Sequence, residues 1–267
     1  MRLATWNVNS LKVRLPHVLD WLATADCDVL CLQETKLTDD KFPLEQIEAA
    51  GYNAVFSGQK TYNGVAILSR LALHDVVRDM PDYADVQKRV IAATIHPASN
   101  DSRSDGADPV RVVCAYIPNG QSLDSEKYRY KLDWLDALQG YMGSLRAQYP
   151  RVALLGDYNI APEDRDVHDP AAWVGQVLVS ASERAHFQSL IDKGFQDCFR
   201  MFEQPDKIFS WWDYRMLGFR RNAGLRIDHI LASPALAAQC RACVIDKAPR
   251  KREQPSDHTP VVADFSV

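Results

Sequence analysis

Apolar residues along the chain gather in short, unbroken runs separated by longer stretches in which they recur every three or four positions. The runs read as strands covered on both faces, and the longer stretches as amphipathic helices. A first strand begins at once in Met1-Arg2-Leu3-Ala4-Thr5-Trp6 and ends at Asn7. Leu11, Leu15, Val18 and Leu22 then predict a helix, and Asp28 to Leu32 a strand ending in Gln33 and Glu34. Pro43 to Ala50 reads as a short helix closed by Gly51. Tyr52 to Ser57, Gly64 to Ser69 and Arg89 to Ile95 are strands rich in Val, Ile and Ala. The polar, turn-rich stretch Ala98 to Pro109 has strands on both sides, so it reads as a hairpin excursion rather than a domain boundary.

The second half repeats the scheme. Val110 to Ile117 is a strand leading to Pro118, Asn119 and Gly120. Ser125 to Tyr149 is the longest helix, with Leu132, Leu135, Leu138, Met142 and Leu145 on one stripe and Pro150 as its stop. Val152 to Leu155 is the next strand. It breaks at Gly156, read as the point where the backbone leaves the sheet, and Asp157 and Asn159 follow two residues apart. On extended backbone that spacing points both side chains into one pocket at the carboxyl end of the strand; a turn or helix cap is the plainer reading of such an Asp. After a loop from Ala161 to Ser180 come a helix from Ser182 to Lys193, a strand from Arg226 to Leu231 and a last strand from Val261 to Phe265. Strand, helix and polar strand end recur through both halves. That pattern predicts an α/β fold with two sheets packed face to face and helices outside, in a single domain over residues 1–267.

Composition narrows the setting. Hydrophobic residues make up 46% of the chain and charged residues 25%, ordinary for a globular protein with a large core. No apolar run approaches the roughly 20 residues of a spanning helix, and the start of the chain lacks the pattern of a secretory signal. No membrane association and a cytoplasmic location are therefore expected. Cys240 and Cys243 form a C-x-x-C without a second pair, which disfavours zinc. The net charge of −4 argues weakly against a nucleic-acid partner, but distribution matters more than the sum. Arg215, Arg220, Arg221 and Arg226 make one positive segment; Lys127, Arg129 and Lys131, and Arg250, Lys251 and Arg252, make others. Each is either a binding surface or a solvated face.

The polar residues at predicted strand ends are Asn7, Glu34, Tyr116, Asp157, Asn159, Asp228, Asp257 and His258. Hard oxygen donors with a single histidine suit magnesium. Such a set fits hydrolysis of a phosphate ester, in which the metal polarises the phosphoryl oxygen, one Asp activates water, and a cationic His is oriented by another Asp. No Ser or Cys sits in a G-x-S-x-G elbow, so water is the expected attacker. Glu34 also reads as a plain loop glutamate, and His168 as an exposed loop histidine. His229 falls on the strand face opposite Asp228. Trp211 and Trp212 beside arginines suit stacking on nucleic acid, or a corner of the core.

Five motifs in order carry a resemblance: Thr5-Trp6-Asn7-Val8-Asn9, Leu32-Gln33-Glu34-Thr35-Lys36, Gly156-Asp157-Tyr158-Asn159-Ile160, Gly224-Leu225-Arg226-Ile227-Asp228 and Ser256-Asp257-His258. Together they resemble the exonuclease III family of DNA repair nucleases and abasic-site endonucleases, in the endonuclease/exonuclease/phosphatase superfamily, over essentially the whole chain. The resemblance implies a four-layered α/β sandwich, two mixed β-sheets between helices, and magnesium-dependent cleavage of DNA phosphodiesters, with manganese as a substitute. It implies Glu34 as principal metal ligand, with Asn7 supporting it and Asp257 near. Asp157 would be the general base, Asn159 its aligner, His258 held by Asp228 the phosphate-stabilising group, and Tyr116 a contact to phosphate or leaving oxygen. Asn119, Trp211, Trp212, Arg215, Leu225, Arg226 and Ile227 would meet the substrate. The expected partner is double-stranded DNA with abasic sites or 3′ ends, acted on by a monomer.

Two rival readings fit the same residues. A phosphomonoesterase or lipid-headgroup phosphodiesterase would share the catalytic set, and a non-catalytic nucleic-acid-binding protein would share the fold. His168 and Trp173 lie where relatives differ, which leaves open the balance between abasic cleavage and 3′ trimming.

Overall fold

The computed structural model describes residues 1–97 and 108–267, so the expected excursion lies, but for Asp108 and Pro109, outside the described residues. The chain runs through β1 (Arg2–Asn7), α1 (Leu11–Ala25), β2 (Val29–Gln33), α2 (Leu44–Ala49), β3 (Asn53–Ser57), β4 (Val65–Ser69), β5 (Leu73–Arg78) and β6 (Val90–Ile95). It continues with β7 (Val110–Tyr116), α3 (Glu126–Gln148), β8 (Arg151–Asp157), α4 (Pro170–Trp173), α5 (Ala181–Asp192) and β9 (Gln196–Asp197). Last come β10 (Trp211–Trp212), β11 (Gly224–Leu225), β12 (Asp228–Ala232), α6 (Pro234–Ala237), β13 (Cys240–Ile245) and β14 (Val261–Phe265).

Two six-stranded sheets form, in the orders β13-β14-β1-β2-β4-β3 and β5-β6-β7-β8-β12-β9, with β10 and β11 as a separate ribbon. Each large sheet is mixed. β1 and β2 are parallel across α1, and β7 and β8 are parallel across α3, because a parallel pair needs a crossover long enough to hold a helix. Side-chain alternation then builds the layers. Leu3, Val29 and Cys31 of one sheet meet Val112, Cys114, Ala153 and Leu155 of the other in the central core. Their neighbours Ala4, Trp6, Leu30 and Leu32 face outward against Val18, Trp21 and Leu22 of α1. On the opposite side Val113, Val152 and Leu154 pack on Trp134, Leu138 and Met142 of α3 and Phe187 of α5. The result is the expected four-layered α/β sandwich.

Three sequence readings are corrected here. Gly156 does not end its strand: β8 continues to Asp157, with Gly156 paired to both Ala115 and His229. A Cβ there would sit 1.8 Å from the Ala115 carbonyl oxygen, so close approach of β7 demands the glycine. Strands β5 and β13 have no counterpart in the apolar pattern. Both are sheet edges with a register shift, and β5 is buried at no position, so neither carries an unbroken apolar run. Lys131 is no part of a basic face. It is fully buried on α3 and ion-paired with buried Glu183 of α5, and it donates to the backbone carbonyls of Asn119 and Asn159 at 3.2 and 2.7 Å.

A second buried charge network ties the loop after β8 to the sheet. Arg226 donates to Asp166 at 2.7 Å and pairs with Asp197 at 2.7 Å, while Nδ1 of His229 accepts from its guanidinium at 2.9 Å. Nε2 of His229 donates to the Ile160 carbonyl at 2.8 Å. Burial, and then the Arg226 cation, push the His229 pKa down to about 4. The unfolded chain therefore takes up this proton below the ordinary histidine pKa of about 6.5, and the folded chain resists it. Stability from this site is complete above about pH 6.5 and is lost as pH falls towards 4, by about 3 kcal/mol in all. Chemical denaturation across this window is expected to show a shallower acid slope for His229→Gln than for the wild type; an equal slope would contradict the assignment.

Candidate active site

Sheet register places the first row of polar groups. Tyr116 at the end of β7 pairs with Asp157 of β8, and Asp157 pairs with Asp228 at the start of β12. On the facing sheet Asn7 ends β1 opposite Gln33, and the next residue, Glu34, turns the chain with a positive φ of 52°. The two sheets meet through Asn7, whose amide donates to Glu34 at 2.8 Å and to Asp157 at 2.9 Å. Asn159 also takes a left-handed conformation, φ 49°, so its approach to Asp157 does not come from extended spacing. Its backbone N–H donates to Asp157 at 2.9 Å, and Asn119 donates to its side-chain oxygen at 3.0 Å. His258 sits on the turn before β14, where the Ser256 hydroxyl accepts from its backbone N–H at 3.2 Å and donates to the Asn7 carbonyl at 2.7 Å.

The electrostatics of this cluster follow from burial. Nδ1 of His258 donates to Asp228 at 2.9 Å, and its Nε2 lies 3.7 Å from Asp157. Burial opposes protonation of this ring, but the Asp228 and Asp157 carboxylates overcome it and raise the pKa to about 10, so His258 is an imidazolium at neutral pH. Burial also raises Asp157, to about 7, with Asp228 adding to the shift and His258 opposing it. Burial, then the negative charge of Glu34 and Asp157, holds the Tyr116 hydroxyl protonated. The Arg89 guanidinium lies 4.8 Å from the Tyr116 ring centre. Beside them opens a groove of about 810 Å³ lined by Tyr116, Asn119, Arg89, Lys127 and Tyr62.

Donor atoms of Glu34, Asp157 and His258 lie within 4.8 Å of one another, a cluster that can hold a metal ion. The carboxylate oxygens in it are hard donors suited to a hard divalent cation, whereas Nδ1 of His258 is already spent on Asp228. Asp257 is not in that group. Its oxygens accept from Asn9 and from the Trp211 indole, both at 3.0 Å.

The structure buries several of the residues expected to meet the substrate. Arg226 is 1% exposed and spent on Asp166 and Asp197, so it adds nothing to a positive surface. Trp212 is wholly buried, and Leu225 and Ile227 pack beneath Val167 and Leu178 of the 161–180 loop. Of that run Trp211 keeps partial exposure, with its ring 6.5 Å from that of Trp173. Arg215 is exposed but paired with Asp213 at 2.6 Å. His168 is half-buried, not a free loop histidine, and its Nδ1 lies 3.3 Å from the Gly224 carbonyl. Sequence reasoning assigned no role to Asn9, Lys36 or Arg89. Asn9 and Lys36 stood inside the recurring motifs, whereas nothing in the sequence ties Arg89 to Tyr116.

The profile of the endonuclease/exonuclease/phosphatase family matches residues 4–258. The chain belongs to this family. The matched span reaches from β1 to His258, so it takes in all the strand ends of the site. Among relatives of this endonuclease/exonuclease/phosphatase family member, exodeoxyribonuclease III of Haemophilus influenzae is 36% identical, over 99% of this chain and 100% of that one. A 3′ phosphatase from Neisseria, solved bound to a product DNA hairpin, is 45% identical with a TM-score of 0.93, covering 100% of both chains. An AP endonuclease from Archaeoglobus fulgidus is 38% identical with a TM-score of 0.91, again over 100% of both. Among the described residues no helix is long and apolar enough to cross a membrane.

Proposed function

We propose that this chain is a DNA repair nuclease that needs a divalent metal, magnesium or in its place manganese. It cleaves phosphodiesters on the 5′ side of abasic sites and removes nucleotides or blocking groups from 3′ ends of duplex DNA. We place it in the cytoplasm, working as a monomer of one domain. The observation that carries the chemistry is the buried Asp228–His258–Asp157 row, with an imidazolium 3.7 Å from a carboxylate whose pKa is near 7. Its place among relatives that act on DNA supports the substrate.

Glu34, with the neighbouring Asn7 supporting it, would hold the metal, which when bound polarises the phosphoryl oxygen and offsets charge gathering there. Asp157 takes the proton of the attacking water, and its pKa near 7 suits a base at neutral pH. Asn159 fixes that carboxylate through its backbone N–H. His258, kept cationic by Asp228, donates towards the phosphoryl oxygen as charge builds. Tyr116, held protonated, and Asn119 face the groove, where they contact phosphate or leaving oxygen.

Turnover of an abasic duplex beside that of an inositol phosphate tests this reading. The duplex is expected to be the far better substrate, and the reverse preference would favour the phosphomonoesterase. His168 and the Trp173–Trp211 pair stand at the junction of the 161–180 loop and the β10–β11 ribbon. His168→Gly is expected to change the ratio of abasic cleavage to 3′ trimming several-fold; equal loss or no change in both would count against a specificity role.

A further inference from the structure

Arg250, like Arg111 and Arg89, is a buried cation without a carboxylate partner among the described residues, but unlike them it is held by no hydrogen bond to a protein group. It is 6% exposed, no carboxylate forms an ion pair with it, and its buried Nε has no hydrogen-bond partner. Three aromatic rings surround it instead: Phe219, Tyr214 and Trp212, with centres 4.9, 5.6 and 5.9 Å from the guanidinium carbon. Ring faces attract a cation and hold it in place, but they offset only part of the cost of removing it from water. Burial accordingly lowers its pKa, and the nearby Arg14 lowers it further.

Arg14, on the first turn of α1, is a second guanidinium that also lacks a carboxylate. It donates only to neutral groups, the carbonyls of Asn9, Gln254 and Pro255 and the Tyr214 hydroxyl. Tyr214 in turn donates to the Pro255 carbonyl at 2.8 Å, which fixes one wall of the cage. The nearest acid, Asp257, has both oxygens taken by Asn9 and Trp211. Asn9 joins this patch to the active site, its amide 3.0 Å from Asp257 and 3.5 Å from the Tyr214 hydroxyl.

We propose that Arg250 and Arg14 form a separate anion subsite, on the Asp257 flank of the catalytic row, for a backbone phosphate of bound duplex DNA. Both guanidiniums meet Tyr214, with their charge compensation left to the ligand, and a guanidinium fork matches phosphate oxygens. The caged side chain is ordered before DNA arrives, so little conformational freedom is lost on binding. The subsite rests on the nuclease reading above.

Binding of an abasic-site duplex in EDTA, measured by fluorescence anisotropy across a salt series, tests it. Arg250→Met, which keeps an apolar side chain in the cage, is expected to weaken binding roughly 10-fold and to lower the slope of log Kd against log salt by about 1. Arg250→Lys should retain the slope, and Arg14→Met, at a half-exposed position, should lower it. Unchanged slopes in both methionine variants beside a wild type that binds and cleaves would overturn the subsite alone. An equal loss of affinity in Arg250→Met and Arg250→Lys with lowered melting temperature and unaltered slope would reduce Arg250 to a structural prop and overturn it too. A wild type with no salt-dependent binding of the duplex would overturn the nuclease reading with it.

Discussion

Asp157→Asn is expected to lose roughly 100- to 10,000-fold in single-turnover cleavage, with duplex affinity and melting temperature close to those of the wild type. The substitution keeps shape and removes the base. Asp157 is 1% exposed, and its hydrogen-bonding neighbours are the side-chain amides of Asn7 and Asn159 and the backbone N–H of Asn159, so an amide oxygen still satisfies part of that set. Its burial already disfavours the ionised form, raising the pKa to about 7, so loss of the charge removes a desolvation cost along with the function. Cleavage, anisotropy and thermal melting measured on one preparation separate these effects. Near-normal turnover would remove Asp157 from the role of base.

Asp228→Asn is expected to lower the cleavage rate roughly 100- to 1,000-fold at neutral pH by a different route. Asp228 is wholly buried and accepts from Nδ1 of His258 at 2.9 Å. Against burial, Asp228 first, then Asp157 and Asp257, hold the His258 pKa near 10; with Asp228 neutralised the largest of these contributions is lost and the pKa falls. A raised histidine pKa means that the cationic form, and the activity depending on it, persists in the wild type until the pH climbs towards 10. In the variant the alkaline limb of the pH–rate profile is expected at lower pH. A uniform loss of rate with an unmoved limb would leave Asp228 a merely structural neighbour.

Sequence legibility followed burial and range. β2, β4, β6 and β8 were readable because strands buried on both faces carry unbroken apolar runs, and α3 because its stripe is bounded by Ser125 and Pro150. β5 and β13 were not, since an edge strand with a bulge keeps neither an apolar run nor strict alternation. In the site, Asn7, Glu34, Asp157, Asp228 and His258 stood out as polar residues at strand ends, and the register brings them together. The fate of the arginines was hidden. Nothing local to Arg226 reveals that Asp166, 60 positions away in the chain, neutralises it, nor that Arg250 lies inside an aromatic cage. A basic cluster in sequence counts charges but does not tell which are already paired. The same limit applied to Lys131, which read with Lys127 and Arg129 as a basic surface cluster and is instead buried against Glu183.

The most direct test of the central claim is the rate of cleavage by the purified protein, with magnesium and with EDTA, of duplexes carrying an internal abasic site, a 3′ phosphate or a plain recessed 3′ end. Metal-dependent product from at least one of these duplexes, abolished by EDTA and by Asp157→Asn, is the predicted result. Tight duplex binding with no product under any metal condition would contradict it.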